Sequence, residues 1–332
     1  MTGAGDSATT WLVTGGAGYI GAHVVRALLA ADFGVAVLDD LSTGREEFVP
    51  GGVALTRASV LDTPAVEAAL REHAVDGVIH CAGFKYAGES VRRPLHTWRQ
   101  NLSGTESLLR AMESVGVRRI VFSGSAAVYG TPSEELVTEA TPTAPESPYG
   151  ESKLAAELLI RGQVLATALT DAPLAGTSLR YFNVAGSADP AVWDVSPYNV
   201  LPRVFTGLVE GRAPVINGDD FDTPDGTCVR DYIDVGDVAL AHVAAARAFA
   251  AGRDLEPVYN LGSGKGTSVR ELIDAVLEVS GTSLAPIIGP RRPGDPARIV
   301  AAGNLATRDL DWAMRHSVRD MVASAWKAHP KD

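Results

Sequence analysis

At 332 residues with a formal charge of −11, the chain is long enough for one large α/β unit plus a smaller lobe. It is too acidic for a surface built to grip nucleic acid or an anionic membrane, which clustered Lys and Arg would provide. Apolar residues at 46% and charged residues at 21% exclude a disordered chain, and the two cysteines, Cys81 and Cys228, have no metal-ligand spacing, which argues against a disulfide framework or zinc site and fits the cytoplasm.

The opening "MTGAGDSATT" is small and polar, with neither a basic nor an apolar leader region, so residues 1–9 are expected to be a flexible terminus with no membrane anchor. Strands are predicted at "WLVTG" (11–15), "GVAVLD" (34–39), "VALTRA" (53–58), "GVIHCAG" (77–83) and "RRIVFSGS" (118–125), with helices over 18–31, 64–74, 95–115 and 149–168. A sixth strand is predicted at "TSLRYFNV" (177–184). This alternation implies βαβ units, and so a Rossmann-type doubly wound parallel sheet over residues 10–185. From 186 to 332 the rhythm breaks into loops such as "DDFDTPDGTCVRDY" and "GPRRPGDPA", the expected smaller substrate-binding lobe. Helix 234–251 and strand 257–262 are expected to return to the main sheet. There are no repeats or low-complexity tracts.

After the first predicted strand stands Gly16-x-Gly18-x-x-Gly21, with Gly15 adding an overlapping spacing. Glycines there allow a tight turn, let backbone N–H groups approach a pyrophosphate and let the new helix pack on its strand. A bare glycine pattern also suits a plain strand-to-helix turn, and its context decides the matter. The motif follows a strand, opens a helix and precedes, by 18 residues, Asp39 at the end of the second strand. An acid there suits the two ribose hydroxyls of NAD and repels the 2′-phosphate of NADP; Asp40 fits the same role or a turn cap.

"SPYGESK" puts Tyr149 and Lys153 four apart on one face of a helix start. A phenol with a pKa near 10 is a poor base at neutral pH, but a neighbouring ammonium and a positive nicotinamide ring both favour its phenolate, which could accept a proton from a sugar hydroxyl. Ser125, where the fifth strand reaches the end at which parallel sheets present their sites, could hydrogen-bond both the sugar oxygen and the tyrosine.

Ser125, Tyr149 and Lys153 behind a glycine turn resemble the short-chain dehydrogenase/reductase superfamily. "LVTGGAGYIG", "AGFKYAGESVRRPL", "SAAVYG", "SPYGESKL", "LRYFN" and "DGTCVRDYIDV" look closely like the UDP-glucose 4-epimerases of its extended branch, over about residues 10 to 310. The resemblance implies tightly held NAD, proton removal from the sugar 4-hydroxyl by Tyr149, a transient 4-keto sugar that turns over in the site, and no net redox. It implies a cofactor lining of Gly15, Gly18, Tyr19, Ile20, Gly21, Asp39, Asp40, Ser42, Ser59, Val60, Cys81, Ala82, Gly83, Lys85, Asn101 and Phe182, beside Ser125, Tyr149 and Lys153. For the UDP-sugar it implies Lys85, Ser125, Tyr149, Asn183, Asn199, the segment Val215 to Asn217, Arg230, Arg292, Asp295 and Ile299. A homodimer through helices 95–115 and 149–168 is also implied.

Read without the resemblance, Tyr181 and Phe182 suit core aromatics, and Arg230 suits a surface ion pair with Asp231. Ser59 stands where the family usually has an aspartate reaching adenine. Val184, Asp234 and Ala302 also depart from the family pattern, and Ile299 replaces a Tyr or Cys bounding the sugar pocket. A 4,6-dehydratase would carry an Asp-Glu pair where this chain has Ala126 and Ala127, and a decarboxylase would need further acid-binding groups. Epimerisation of a different UDP-sugar and a non-catalytic dinucleotide sensor are the remaining alternatives.

Overall fold

A computed structural model describes residues 9–292, 295–302 and 304–331. Most of residues 1–9 therefore lie outside the described part. The chain begins with β1 (Thr10–Thr14), α1 (Tyr19–Ala30), β2 (Gly34–Asp39), β3 (Ala54–Arg57), α2 (Thr63–Glu72), β4 (Gly77–His80), α3 (Ala87–Arg92), α4 (Pro94–Trp98), α5 (Gly104–Val115), β5 (Arg119–Ser125), α6 (Pro148–Thr167) and β6 (Ala175–Tyr181). It continues through β7 (Asn183–Ala185), α7 (Val200–Val209), β8 (Val215–Asn217), β9 (Val229–Asp234), α8 (Val235–Ala250), β10 (Val258–Leu261), β11 (Gly266–Ser268), α9 (Val269–Ser280), β12 (Ile287–Gly289), β13 (Arg298–Ile299), α10 (Leu305–Leu310) and α11 (Val318–Ala328).

Seven strands form one parallel sheet in the order β3-β2-β1-β4-β5-β6-β10. The order reverses between β1 and β4, which opens a crevice at the carboxyl ends of those strands. Alternation along β1 shows how both faces are filled. Trp11 and Val13 join α1 and α8 in one core, while Leu12 joins α2, α5 and α6 in the other. Runs with no polar residue, such as "WLV" and "IVF", arise because such a strand is covered on both sides.

Two predicted elements are divided in the structure. The helix expected over 95–115 is α4 and α5 joined by a π-helical turn at Arg99–Ser103, which inserts an extra residue and carries the Asn101 side chain inward. The strand expected over 177–184 is two strands in different sheets: β6 in the large sheet, and β7 beside β9 in a four-stranded sheet with β11 and β13. Phe182 alone separates them. The fourth predicted strand stops at His80, leaving Cys81 to Gly83 as irregular chain at the crevice.

The four-stranded sheet and the parallel pair β8 and β12 carry the C-terminal part. A separate core from α7, α9 and α11, with Ala185, Ile216 and Tyr232, lies against them. Helices α9 and α11 start with full capping boxes, Ser268 with Glu271 and Ser317 with Asp320. No described helix is long and apolar enough to cross a membrane.

Candidate active site

The glycine turn is pressed between two strand ends. Gly15 has φ +70°, and a Cβ there would lie 2.6 Å from the Ala82 nitrogen; at Gly21 it would lie 2.1 Å from the Gly15 oxygen. Gly18 is the N-cap of α1, no side chain caps that end, and its first turn holds no acid. The helix start is therefore a set of N–H groups suited to an anion. Ile20 is half-buried, and Tyr19 turns away into the core, where its hydroxyl donates to the Gly186 carbonyl at 2.6 Å.

Asp39 closes this corner: one carboxylate oxygen accepts from Ala17 N–H at 3.0 Å and the other from Leu41 N–H at 2.8 Å. Burial raises its pKa, against those two hydrogen bonds. Asp40 is exposed and accepts from Ser42 N–H at 2.9 Å, which is a turn cap. Past β3, Ser59 Oγ accepts from Leu61 N–H at 3.3 Å and Val60 is buried against α5.

Across the crevice, Ser125 ends β5 and caps the short 3-10 turn that follows, accepting from Ala127 N–H at 3.2 Å. Ser147 caps α6 and Pro148 occupies its first turn, which sets Tyr149 and Lys153 one turn apart at the helix entrance. Tyr149 lies beside Ser125, near enough for that hydroxyl to lower the pKa of the phenol. Lys153 is buried, donates to the Ser123 carbonyl at 3.0 Å and lies 4.8 Å over the Phe122 ring.

The expected lowering of the phenol's pKa by this ammonium does not appear in the protein alone. Burial raises the Tyr149 pKa above 10, opposed by the Ser125 hydroxyl, and the Lys153 ammonium is directed at the Ser123 carbonyl. Burial also pulls Lys153 down to about 8 and pushes the Cys81 thiol up to about 12.

Asn101 braces the loop after β4. Its amide oxygen accepts from Phe84 N–H at 2.7 Å, and its amide nitrogen donates to the Phe84 carbonyl at 3.0 Å and to Ser152 Oγ at 2.8 Å. A Cβ at Gly83 would lie 2.7 Å from that amide oxygen and 3.8 Å from Lys153 Nζ. This shows how closely residues 81–85 approach Lys153. Lys85 reaches Asp194 at 3.7 Å, and Asp194 accepts from Asn199 Nδ2 at 2.6 Å.

Guanidinium groups gather on β9 and on the chain just after β12. Arg230 donates to the carbonyls of Val229 at 2.9 Å and Pro296 at 2.8 Å and lies 3.5 Å from Asp295. It does not pair with Asp231, which is buried and accepts from Ser263, Gly264 and Ala301 N–H groups. Parallel pairing of β8 with β12 brings Asn217 to Arg292: with its amide oxygen facing the guanidinium, Asn217 accepts from Arg292 at 3.1 and 3.2 Å. Val215 is exposed at the start of β8, and Asn183 is exposed opposite Tyr232. Ile299 packs with Phe182, Leu154 and Ala126, against the turn that Ser125 starts.

Residues 11–262 match the family model described as NAD dependent epimerase/dehydratase family. The chain belongs to the NAD-dependent epimerase/dehydratase family. It is 41% identical over 327 residues to the UDP-glucose 4-epimerase of Streptomyces lividans, covering 97% of each chain. It superposes on a crystal structure of a UDP-glucose 4-epimerase with TM-score 0.91 and 35% identity, again over 97% of each. The enzyme from Stenotrophomonas maltophila, solved with bound NAD and formylated UDP-arabinopyranose, gives TM-score 0.89 and 38% identity over 96% of this chain and 97% of that one.

The residues of this family member fit NAD. The uncapped α1 start, a turn that would clash with any Cβ at Gly15, and an acid at the second strand end form a cradle for a dinucleotide with a free ribose diol. Several participants were invisible in the sequence. Asp194, the tie between Lys85 and Asn199, lies in an irregular stretch with no periodicity. Arg291, stacked 4.1 Å from the Phe221 ring centre, and Arg203, whose pKa burial and the charge of Arg292 lower, become neighbours of the arginine group only through folding.

Proposed function

We propose that this protein is an NAD-dependent epimerase that inverts C4 of a UDP-hexose, interconverting UDP-galactose and UDP-glucose through a transient 4-keto sugar. The observation that carries the reading is the meeting of Ser125, Tyr149 and Lys153 at the sheet's carboxyl end, across from an uncapped helix start. When bound, NAD supplies the acceptor and then the donor of the hydride at C4. Tyr149 takes and returns the 4-hydroxyl proton, Ser125 holds the sugar oxygen and the phenol in line, and Lys153 faces the nicotinamide ribose. The phenol is protonated at neutral pH even with its ordinary pKa near 10, and burial moves it further from ionisation, so its ionisation needs positive charge in the site. Epimerisation fits the neighbouring positions, since Ala126 and Ala127 lack the acid and base a dehydratase needs.

The glycine turn and residues 81–85 would line the cofactor with Asn101 and Phe182. Asn183, Asn199, Asn217, Arg230 and Arg292 would grip the uridine diphosphate, where guanidinium forks suit phosphate oxygens in an otherwise acidic protein. Residues 10–185 would form the NAD-binding domain, with 234–262 returning to it, and the remainder of 186–332 the nucleotide-sugar lobe. Exposed Leu95, Leu158 and Leu165 on α4 and α6 favour pairing of two copies through those helices, which light scattering would read as a dimer. Composition favours the cytoplasm.

Incubation with UDP-galactose, UDP-glucose and their N-acetyl forms, followed by product analysis, tests the activity. Interconversion of the plain pair, with a transient reduced-nicotinamide band, is expected. Release of a 4-keto-6-deoxy sugar, or no conversion at all, would overturn the reading.

A further inference from the structure

One buried titratable side chain takes no part in the chemistry above. His80 ends β4 directly before the loop at Cys81 to Lys85 and is almost completely inaccessible. Its ring bridges two threonines, with Nδ1 2.7 Å from Thr14 Oγ1 on β1 and Nε2 3.1 Å from Thr105 Oγ1 on α5. Both threonines continue the line: Thr105 Oγ1 donates to the Asn101 carbonyl at 2.6 Å, and Ala82 N–H approaches Thr14 Oγ1 at 3.4 Å.

Counting protons leaves one consistent arrangement. Thr105 has a single hydroxyl proton, given to the Asn101 carbonyl, so toward His80 its oxygen can only accept, and Nε2 must carry the ring proton. Nδ1 is then the acceptor, Thr14 donates to it, and the Thr14 oxygen is left free to accept from Ala82 N–H. A second ring proton would force the Thr14 hydroxyl to turn away from Nδ1 and give up the bond it donates there. Burial independently holds the imidazole neutral, with its pKa lowered to about 3.

The two ends of this line are the two anchors of the cofactor-facing loop. One is the backbone of Ala82, which meets Gly15 of the glycine turn. The other is Asn101, in the π-helical turn, whose amide grips Phe84. We propose that His80, in its Nε2–H tautomer, is a positioning residue that fixes residues 81–85 and Asn101 against the dinucleotide cradle through a directed hydrogen-bond chain from Ala82 through Thr14, His80 and Thr105. This rests on the proposed function insofar as NAD occupies that cradle.

Paired substitutions at Thr105 test it without deleting the histidine. Thr105→Val keeps the shape and removes the hydroxyl; Thr105→Ser keeps the hydroxyl and removes a methyl. A hydrogen-bond chain makes Val the damaging change, with copurified NAD and kcat reduced about tenfold and KM for the UDP-sugar little changed, while Ser stays near wild type. A packing role gives the opposite order. Amide exchange at Ala82 to Phe84 should quicken with Val and not with Ser, and a 15N histidine spectrum should show an Nε2–H signal, lost in His80→Phe, that does not titrate between pH 5.5 and 8. Ser as harmful as Val, or neither with any effect, overturns the proposal. Wild-type protein that carries no NAD would count against the proposed function, while the exchange contrast would still decide the chain.

Discussion

The large parallel sheet and the C-terminal lobe build their halves of the site from different materials. At the glycine turn the tools are main-chain groups and missing side chains: an uncapped helix start, a glycine with φ +70° against Ala82, and a carboxylate that ties two N–H groups. In the lobe they are long side chains, Arg230 on the six-residue β9 and Arg291 and Arg292 on the irregular chain just after the three-residue β12. The first kind of site tolerates almost no substitution, because no rotamer can relieve a backbone clash. The second can adjust, because guanidinium groups have flexible stems and several partners.

The contrast predicts a graded set of responses. The largest belongs to Tyr149, the place where the regular half works through a side chain. Tyr149→Phe should keep the fold and the copurified NAD and lower kcat by about 10²–10⁴-fold, since it deletes the proton-accepting oxygen. Steady-state kinetics together with the nucleotide released on denaturation check this, and near-normal turnover removes Tyr149 from its role. Next comes the backbone itself: Gly15→Ala meets Ala82 and an unfavourable φ together, worth about 1–3 kcal/mol of strain. Purified protein should lose most of its bound NAD and melt lower; unchanged NAD content would show that the turn does not need glycine.

On the lobe side the response should be softer. Ile299 packs beside Phe182 and Ala126. Apolar bulk at such a position discriminates by about 1–3 kcal/mol per methylene, so Ile299→Ala should raise turnover of N-acetyl sugars relative to plain ones and Ile299→Tyr should lower it. A ratio unmoved by both means that the residue does not bound the sugar.

The smallest effect concerns His316, whose Nδ1 lies 3.1 Å from Asp237 and 3.6 Å from Asp234. Desolvation lowers its pKa, but the Asp237 hydrogen bond and the Asp237, Asp234 and Asp320 charges outweigh that and raise it above 6.5. Its stabilisation is therefore full below about pH 6.5 and lost as pH rises through the raised folded value. Thermal melts should show wild type above His316→Gln at pH 6, by less than about 1 kcal/mol because the histidine is half exposed, with the two converging at pH 9.

The same contrast explains what the sequence disclosed. The inner strands of the large sheet were readable because they are covered on both faces, and the glycine turn and the Tyr149–Lys153 spacing were readable because each is local. Of the arginines, Arg230 and Arg292 were readable, one residue at a time and through resemblance; that Asn217 would meet Arg292 depends on β8 pairing with β12 across some seventy residues, which no local pattern encodes. The π-helical turn was missed because the apolar spacing of "RQNLSGTESLL" continues through it, and the demand for an extra residue comes from the buried amide of Asn101. Asp234, a departure from its family, is an N-cap that accepts from Gly236 N–H at 2.8 Å, a job an aspartate does well.

Phe182 stands between Tyr181, hydrogen-bonded into the large sheet, and Asn183, hydrogen-bonded into the small one. That single residue is one of the places where the chain passes between the sheets, residues 262–265 between β10 and β11 being another, and its ring packs with Val137, Ala301 and Ile299. Because Ile299 lies on β13 of the small sheet while Ala126 follows β5 of the large one, the Phe182 ring is a peg shared by both walls of the crevice.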